Sequence, residues 1–108
     1  MDLNLLKGNL DLILLSILEE GERYGLEITK EANVRTNGYF KLNAGSLYPA
    51  LHRLESAGWI TSDSRQPPRG GPSVKYYHLT PSGREALQAK RDTYASFDSA
   101  LRALWSAK

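Results

Sequence analysis

Leucine and isoleucine recur at positions 10, 13, 14, 17 and 18, the three- and four-residue spacing that lines one face of a helix, and Gly21 closes that run. A second helical stretch runs from about Tyr24 to Ala32, with Leu26, Ile28 and Ala32 as its apolar positions, before a loop at Asn37-Gly38. Leu47, Leu51 and Leu54 then form one buried stripe through the segment Asn43 to Leu54, with Gly58 as its stop. Pro49 falls inside this third helix, where a proline costs about 3 kcal/mol unless it stands in the first turn. With Ser46 as the N-cap, Pro49 is the third helical residue and its missing N–H has no intrahelical partner to lose. Asn43 is the alternative cap, which leaves a separate turn or a strained entry before Ser46.

Past Gly58 the pattern changes from helical to alternating. Trp59 to Arg65 has the length of a strand, and Val74 to Leu79 is β-branched and aromatic, so the two are expected to pair. Between them, Gln66 to Ser73 is too long for a two-residue turn and too rich in proline and glycine for regular structure, and reads as a projecting hairpin loop. Thr80-Pro81 matches an N-cap followed by proline at the first helical position. A helix of roughly 28 residues from there to the C-terminus would span about 40 Å. Along it Leu87, Lys90, Tyr94, Phe97, Leu101 and Leu104 follow at alternating steps of three and four, the spacing of a heptad seam. The pattern thus predicts a mainly α protein with a small β-hairpin. Residues 1–80 are expected to form a winged helix-turn-helix and 81–108 a C-terminal dimerisation helix, both in one compact unit.

A chain of 108 residues leaves no room for a second domain. The longest apolar stretch, Leu10 to Leu18, is interrupted by Asp11 and Ser16 and is too short to span a bilayer. Met1 to Leu6 carries Asp2 and no basic cluster, unlike a secretory signal, so the expectation is a cytoplasmic protein with no membrane association. The absence of cysteine excludes disulfides, thiolate zinc sites and cysteine nucleophiles, and His52 and His78 stand apart from other ligand-type residues. No metal or cofactor is expected. Neither histidine has triad spacing and no paired carboxylates flank a phosphate-cradling loop, so the chain is not expected to be an enzyme.

The net charge of +2 is unevenly spread. Residues 1–31 hold three basic against seven acidic side chains, whereas residues 32–84 hold seven basic against two acidic. This middle segment, which holds the third helix and the hairpin, is where a polyanion belongs. In a winged helix the third helix enters the major groove and the wing touches the adjacent backbone or minor groove.

Several segments resemble the PadR-like transcriptional regulators. They are Leu6-Lys7-Gly8 ahead of the first helix, Tyr24-Gly25 at the second, and Gly45-Ser46-Leu47-Tyr48-Pro49-Ala50-Leu51 with Arg53-Leu54-Glu55 in the third. Gly58, Gly70-Gly71-Pro72, Lys75 to Thr80 and Ser82-Gly83-Arg84 continue the match over nearly the whole chain. Trp59 stands where the family commonly has an aliphatic residue. The resemblance implies a dimeric regulator, usually a repressor, joined through its C-terminal helix.

Tyr48 turns away from the leucine stripe and is assigned a phosphate contact through its hydroxyl. His52 and Arg53 are long enough to reach base edges, with arginine suited to guanine. Arg69 at the loop tip suits a phosphate or minor-groove contact, and Lys75 on the strand a contact to the DNA backbone. Tyr77 and Leu79 belong to the core, and Tyr76 fits either set. With Tyr24, Asn43, Ser46 and Gly70, these make up the expected DNA-contacting residues. Leu87, Tyr94, Phe97, Leu101, Leu104 and Trp105, assisted by Leu3, Leu5 and Leu6, are expected at a homodimer seam, where a small aromatic effector would lodge. The expected function is sequence-specific binding of a double-stranded, inverted-repeat DNA operator. The alternative is a winged-helix scaffold whose basic face binds an acidic protein.

Overall fold

The three-dimensional structure is a computed structural model that describes residues 2–106. Its elements in chain order are α1 (Leu3–Leu18), β1 (Arg23–Tyr24), α2 (Gly25–Arg35), α3 (Ala44–Ser56), β2 (Ile60–Arg65), β3 (Val74–Leu79) and α4 (Pro81–Trp105). The Asp2 side chain accepts from the N–H groups of Asn4 at 2.8 Å and Leu5 at 3.1 Å. This cap starts α1 well before the apolar run at Leu10, so Leu6-Lys7-Gly8 lies within the helix and not ahead of it. Leu14, Leu15 and Leu18 are fully buried, and α1 is the hub on which α2, α3, β3 and α4 pack.

Helix α2 begins where the Tyr24 N–H donates to Glu27 Oε1 at 3.1 Å. It buries Ile28 and Ala32, but Leu26, expected on its apolar face, is exposed. In α3 the cap is Asn43, whose Oδ1 accepts from the Ser46 N–H at 2.9 Å. Ser46 is therefore the third helical residue and Pro49 the sixth, beyond the first turn. The i−4 partner that Pro49 cannot serve is the carbonyl of Gly45, and Gly45 is solvent-exposed, so water can take the missing place. At the other end the Trp59 N–H donates to the Leu54 carbonyl and the Gly58 N–H to that of Glu55, with Gly58 at φ +80°. That pair of bonds closes the helix at its glycine.

The sheet has three strands in the order β1-β3-β2, all antiparallel. In the hairpin Ile60 pairs with Leu79 and Arg65 with Val74. The additional strand β1 pairs Arg23 with Tyr77 and Tyr24 with Tyr76. Two residues carry no readable periodicity, which is why the sequence pattern shows a hairpin alone. Tyr77 faces the core with Ile60. The eight-residue wing loop is braced internally, with the Gly70 N–H donating to the Pro67 carbonyl at 2.8 Å and Gln66 Nε2 to the Gly71 carbonyl at 3.1 Å.

Thr80 ties the root of α4 to the end of α3. Its side-chain oxygen accepts from the Gly83 N–H at 2.9 Å and its hydroxyl donates to the Gly58 carbonyl at 2.8 Å, while its N–H donates to the Trp59 carbonyl at 3.0 Å. Leu87, expected at a subunit seam, is 1% exposed and sits in the chain's own core. The seam assignment therefore fails at that position, because the first two turns of α4 close the domain. Trp59 is half-buried against the core, and Lys90 Nζ lies 5.2 Å from its ring centroid. Beyond Arg91 the helix leaves the domain, and the molecule measures 58 × 29 × 21 Å.

Gly83 has no room for a side chain, since a Cβ there would overlap the Trp59 carbonyl oxygen and lie 2.8 Å from Leu79 Cδ1. Gly83→Ala is expected to cost about 1–3 kcal/mol of stability. Urea unfolding followed by tryptophan fluorescence measures this, and an unchanged midpoint would show that the root of α4 moves freely.

Candidate nucleic-acid interface

The exposed positions of α3 are set by its leucine stripe. With Leu47, Ala50, Leu51 and Leu54 buried, Gly45, Pro49, His52 and Ser56 form the outward row, and Tyr48 and Arg53 lie on its two flanks. Tyr48 leans toward the start of α2. A Cβ at Gly25 would overlap the Tyr48 hydroxyl and ring, so the absence of a side chain there lets the phenol lie against the α2 N-terminus. Arg53 leans the opposite way, to α1, where its Nη2 donates to Asp11 Oδ1 at 2.5 Å.

Tyr48, His52 and Glu55 face Val74 and Lys75 of β3 across a cleft that also takes in Tyr24, Gly25, Leu26 and Tyr77. Its volume is about 620 Å³. Glu55 stands on its wall and accepts from the Ser62 hydroxyl at 2.6 Å, which ties α3 to β2. One side is thus helix, the other is wing, and the end is a helix N-terminus whose free N–H groups attract anions. Arg69 and Lys75 are exposed, on the wing loop and on β3 respectively. The other expected contacts divide into two groups. Asn43, Ser46 and Gly70 serve backbone geometry, as cap, capped residue and left-handed turn (φ +84°). Tyr24 and Tyr76 are buried, with ring centroids 5.2 Å apart, and the guanidinium of Arg65 sits 4.3 Å over the Tyr76 ring. Tyr76 is 7% exposed, so its surroundings make it a support for the wing and not a contact surface.

Folding redistributes the charge seen along the chain. Arg35 pairs with Glu20 at 2.6 Å and Glu31 at 3.7 Å, Arg53 with Asp11, and Arg65 with Glu22 and Asp63. The acidic first third thereby neutralises three of the arginines counted as an electropositive middle. Lys41, Arg69, Lys75 and Arg84 form no ion pair among the described residues, and they carry the remaining positive field.

The outer face of the sheet holds a compact polar cluster. His78 Nε2 lies 2.5 Å from Asp63 Oδ1 and its Nδ1 lies 3.2 Å from Glu22 Oε1. Arg65 donates to both carboxylates and holds each below the usual carboxylate range, with His78 adding to the effect. Glu19, accepting twice from Arg91 at 2.6 and 3.1 Å, is lowered by the same cause. Burial pushes the Tyr76 and Tyr77 phenols up. Sequence reasoning missed the Asp11 and Glu22 partners, because those pairs join residues 42 and 43 positions apart, and it missed Asp63, which stands two positions from Arg65 and 15 from His78.

A second groove, of about 470 Å³, runs between α1 and α4 and is lined by Leu5, Leu12, Lys90, Tyr94 and Phe97, with Asp11 and Arg53 at one side. Phe97, Leu104 and Trp105 are 61%, 72% and 69% exposed, and Leu101 is half-buried. Among the described residues no group of three or more histidine or carboxylate side chains could hold a metal ion, and no helix is long and apolar enough to cross a membrane.

Comparison with known proteins agrees with this layout. The model of the transcriptional regulator PadR-like family matches residues 14–89. The chain is 38% identical over 72 residues to the transcriptional regulator Rv3488 of Mycobacterium tuberculosis, an alignment that covers 67% of this chain and 63% of that protein. A crystal structure of a PadR family transcription regulator from Clostridium difficile R20291 superposes with a TM-score of 0.77 at 33% identity, over 91% of this chain and 99% of that one. A transcriptional regulator from Clostridium thermocellum gives 0.83 at 29% identity, over 92% and 95%.

Acid is expected to loosen the sheet cluster. The folded carboxyls of Glu22 and Asp63 titrate below their unfolded values, so their contribution is complete above the ordinary carboxylate range and is lost as pH falls through the depressed folded values. The urea midpoint should drop as pH is lowered from about 5 to about 2.5, and Arg65→Ala should flatten that drop. An Arg65→Ala profile parallel to the wild type would remove the cluster from the account of acid stability.

Proposed function

The chain belongs to the PadR-like family of winged-helix, DNA-binding transcriptional regulators and is not an enzyme, and from that premise we propose that it represses transcription by binding an inverted-repeat operator as a homodimer. The observation that carries the DNA-contact assignment is the cleft between α3 and β3, where Tyr48 and His52 face Lys75 at the N-terminus of α2. The α3 row enters the major groove with His52 as its base-reading side chain. Tyr48 contributes its hydroxyl to a phosphate, and Lys75 and Arg69 hold the flanking backbone. Arg53 approaches from the edge of α3.

The dimer is supported by the outer half of α4, whose aromatic and leucine side chains leave the domain uncovered. Tyr94, Phe97, Leu101, Leu104 and Trp105 form the seam, with Leu3 and Leu5 of α1 beside it. Two-fold symmetry then sets the half-sites about 34 Å apart, one turn of the duplex. The α1–α4 groove opens onto the same seam, and its size suits a small, flat aromatic effector. Such a ligand would act by changing the separation of the two recognition helices.

Arg69→Ala and Lys75→Ala are each expected to weaken binding to every duplex alike and to flatten the salt dependence by about one unit per lost phosphate contact. Anisotropy titrations at two salt concentrations read both quantities. A binding curve indifferent to salt would favour the scaffold that docks an acidic protein. A chain ending after Lys90 should sediment as a monomer at micromolar concentration, and a truncated chain that still dimerised would refute the α4 seam.

A further inference from the structure

Arg53 has the right length and position to reach DNA, yet the structure does not leave it free. Its Nη2 donates to Asp11 at 2.5 Å, across 42 residues of sequence. The carboxylate draws the guanidinium toward α1, away from the outward row of Gly45, Pro49, His52 and Ser56. The pair lies at the surface: the Arg53 side chain is 57% exposed and that of Asp11 25%. Exposed pairs of this kind are weak and exchange readily with other anions. A phosphate offers the same charge-assisted bond and, in a polyanion, releases a condensed counterion when it is neutralised. Lying on the edge of α3, Arg53 is placed for a backbone phosphate at the rim of the groove and not for a base at its floor.

We propose that Asp11 is an intramolecular counter-ion that holds Arg53 off the nucleic acid in the free protein and yields it to a DNA phosphate in the complex. Asp11 thereby lowers DNA affinity without touching DNA. Asp11 also lines the α1–α4 groove, so the same carboxylate faces both the recognition helix and the surface at the root of the dimer arm. The inference rests on the assignment of α3 as the DNA-facing helix.

The test uses the full-length chain and a fluorescein-labelled duplex of arbitrary sequence, titrated by anisotropy between about 50 and 200 mM KCl. Asp11→Asn should tighten binding about threefold to tenfold at each salt concentration and leave the salt slope nearly unchanged, because Arg53 neutralises the same phosphate in both complexes. The gain should vanish when Asp11→Asn is made together with Arg53→Ala. Equal tightening in the Arg53→Ala background would mean that Asp11 acts only through its own charge, and unchanged or weaker binding would make it a tether between α1 and α3; either result overturns the proposal. Asp11→Ser repeats the measurement without the amide, and a loss of folding in both variants would also establish the tether. A wild-type chain that bound no duplex would overturn the DNA assignment itself, a result distinct from binding that Asp11→Asn leaves unaltered.

Discussion

The rest of this structure hangs on the burial of α1. Leu14 and Leu15 are wholly shielded from solvent and Leu18 almost so, which a helix achieves only when other elements cover it on several sides. Removing such a leucine leaves a cavity that costs about 2–5 kcal/mol, and here it would loosen α2, α3, β3 and α4 together. The polar positions of the same helix become junctions for the same reason. Asp11 meets α3 and Glu19 meets α4, because α1 lies within reach of both.

Around that hub the open positive charge is set by subtraction. Most arginines of the middle segment are answered by carboxylates from the first third, and those pairs brace α1, α2 and the sheet. Lys41, Lys75, the wing-tip Arg69 and Arg84 remain as the open positive charges. Arg69 and Lys75 stand on the hairpin, and a small positive field there favours a phosphate backbone without attracting every acidic surface. Arg65 shows the difference between counting charge and placing it: it stacks on Tyr76 and bonds to Glu22 and Asp63, so its work is to stiffen the wing.

Helix α4 divides into two parts at about Arg91. The first part closes the core through Leu87 and is anchored where Gly83 lies against the Trp59 carbonyl. The second carries Phe97, Leu104 and Trp105 into solvent. The bidentate Glu19–Arg91 pair sits at the division and ties α4 to the end of α1, and because α4 is one continuous helix its packed first part sets the direction of the free half. Any partner that covers the free half is thus held at a defined angle to α3.

By itself the sequence determined the order and kind of the main elements. Leucine spacing, the glycine at 58, the Pro-Gly wing loop and Thr80-Pro81 are local signals, and local geometry obeys them; the limits of β3 and the start of α4 fell where those signals stand. The cap of α3 stayed open because Asn43 and Ser46 are both good caps, and only the hydrogen bond from the Ser46 N–H to Asn43 decides between them. Tertiary structure alone decided the two-residue β1, the burial of Tyr24, Tyr76 and Leu87, the exposure of Leu26, and which arginines are already spent on carboxylates. These are contacts between residues tens of positions apart, made possible only once the apolar faces have brought the helices together. Periodicity reports which face of an element is apolar, and the direction from which the neighbouring element arrives lies outside it.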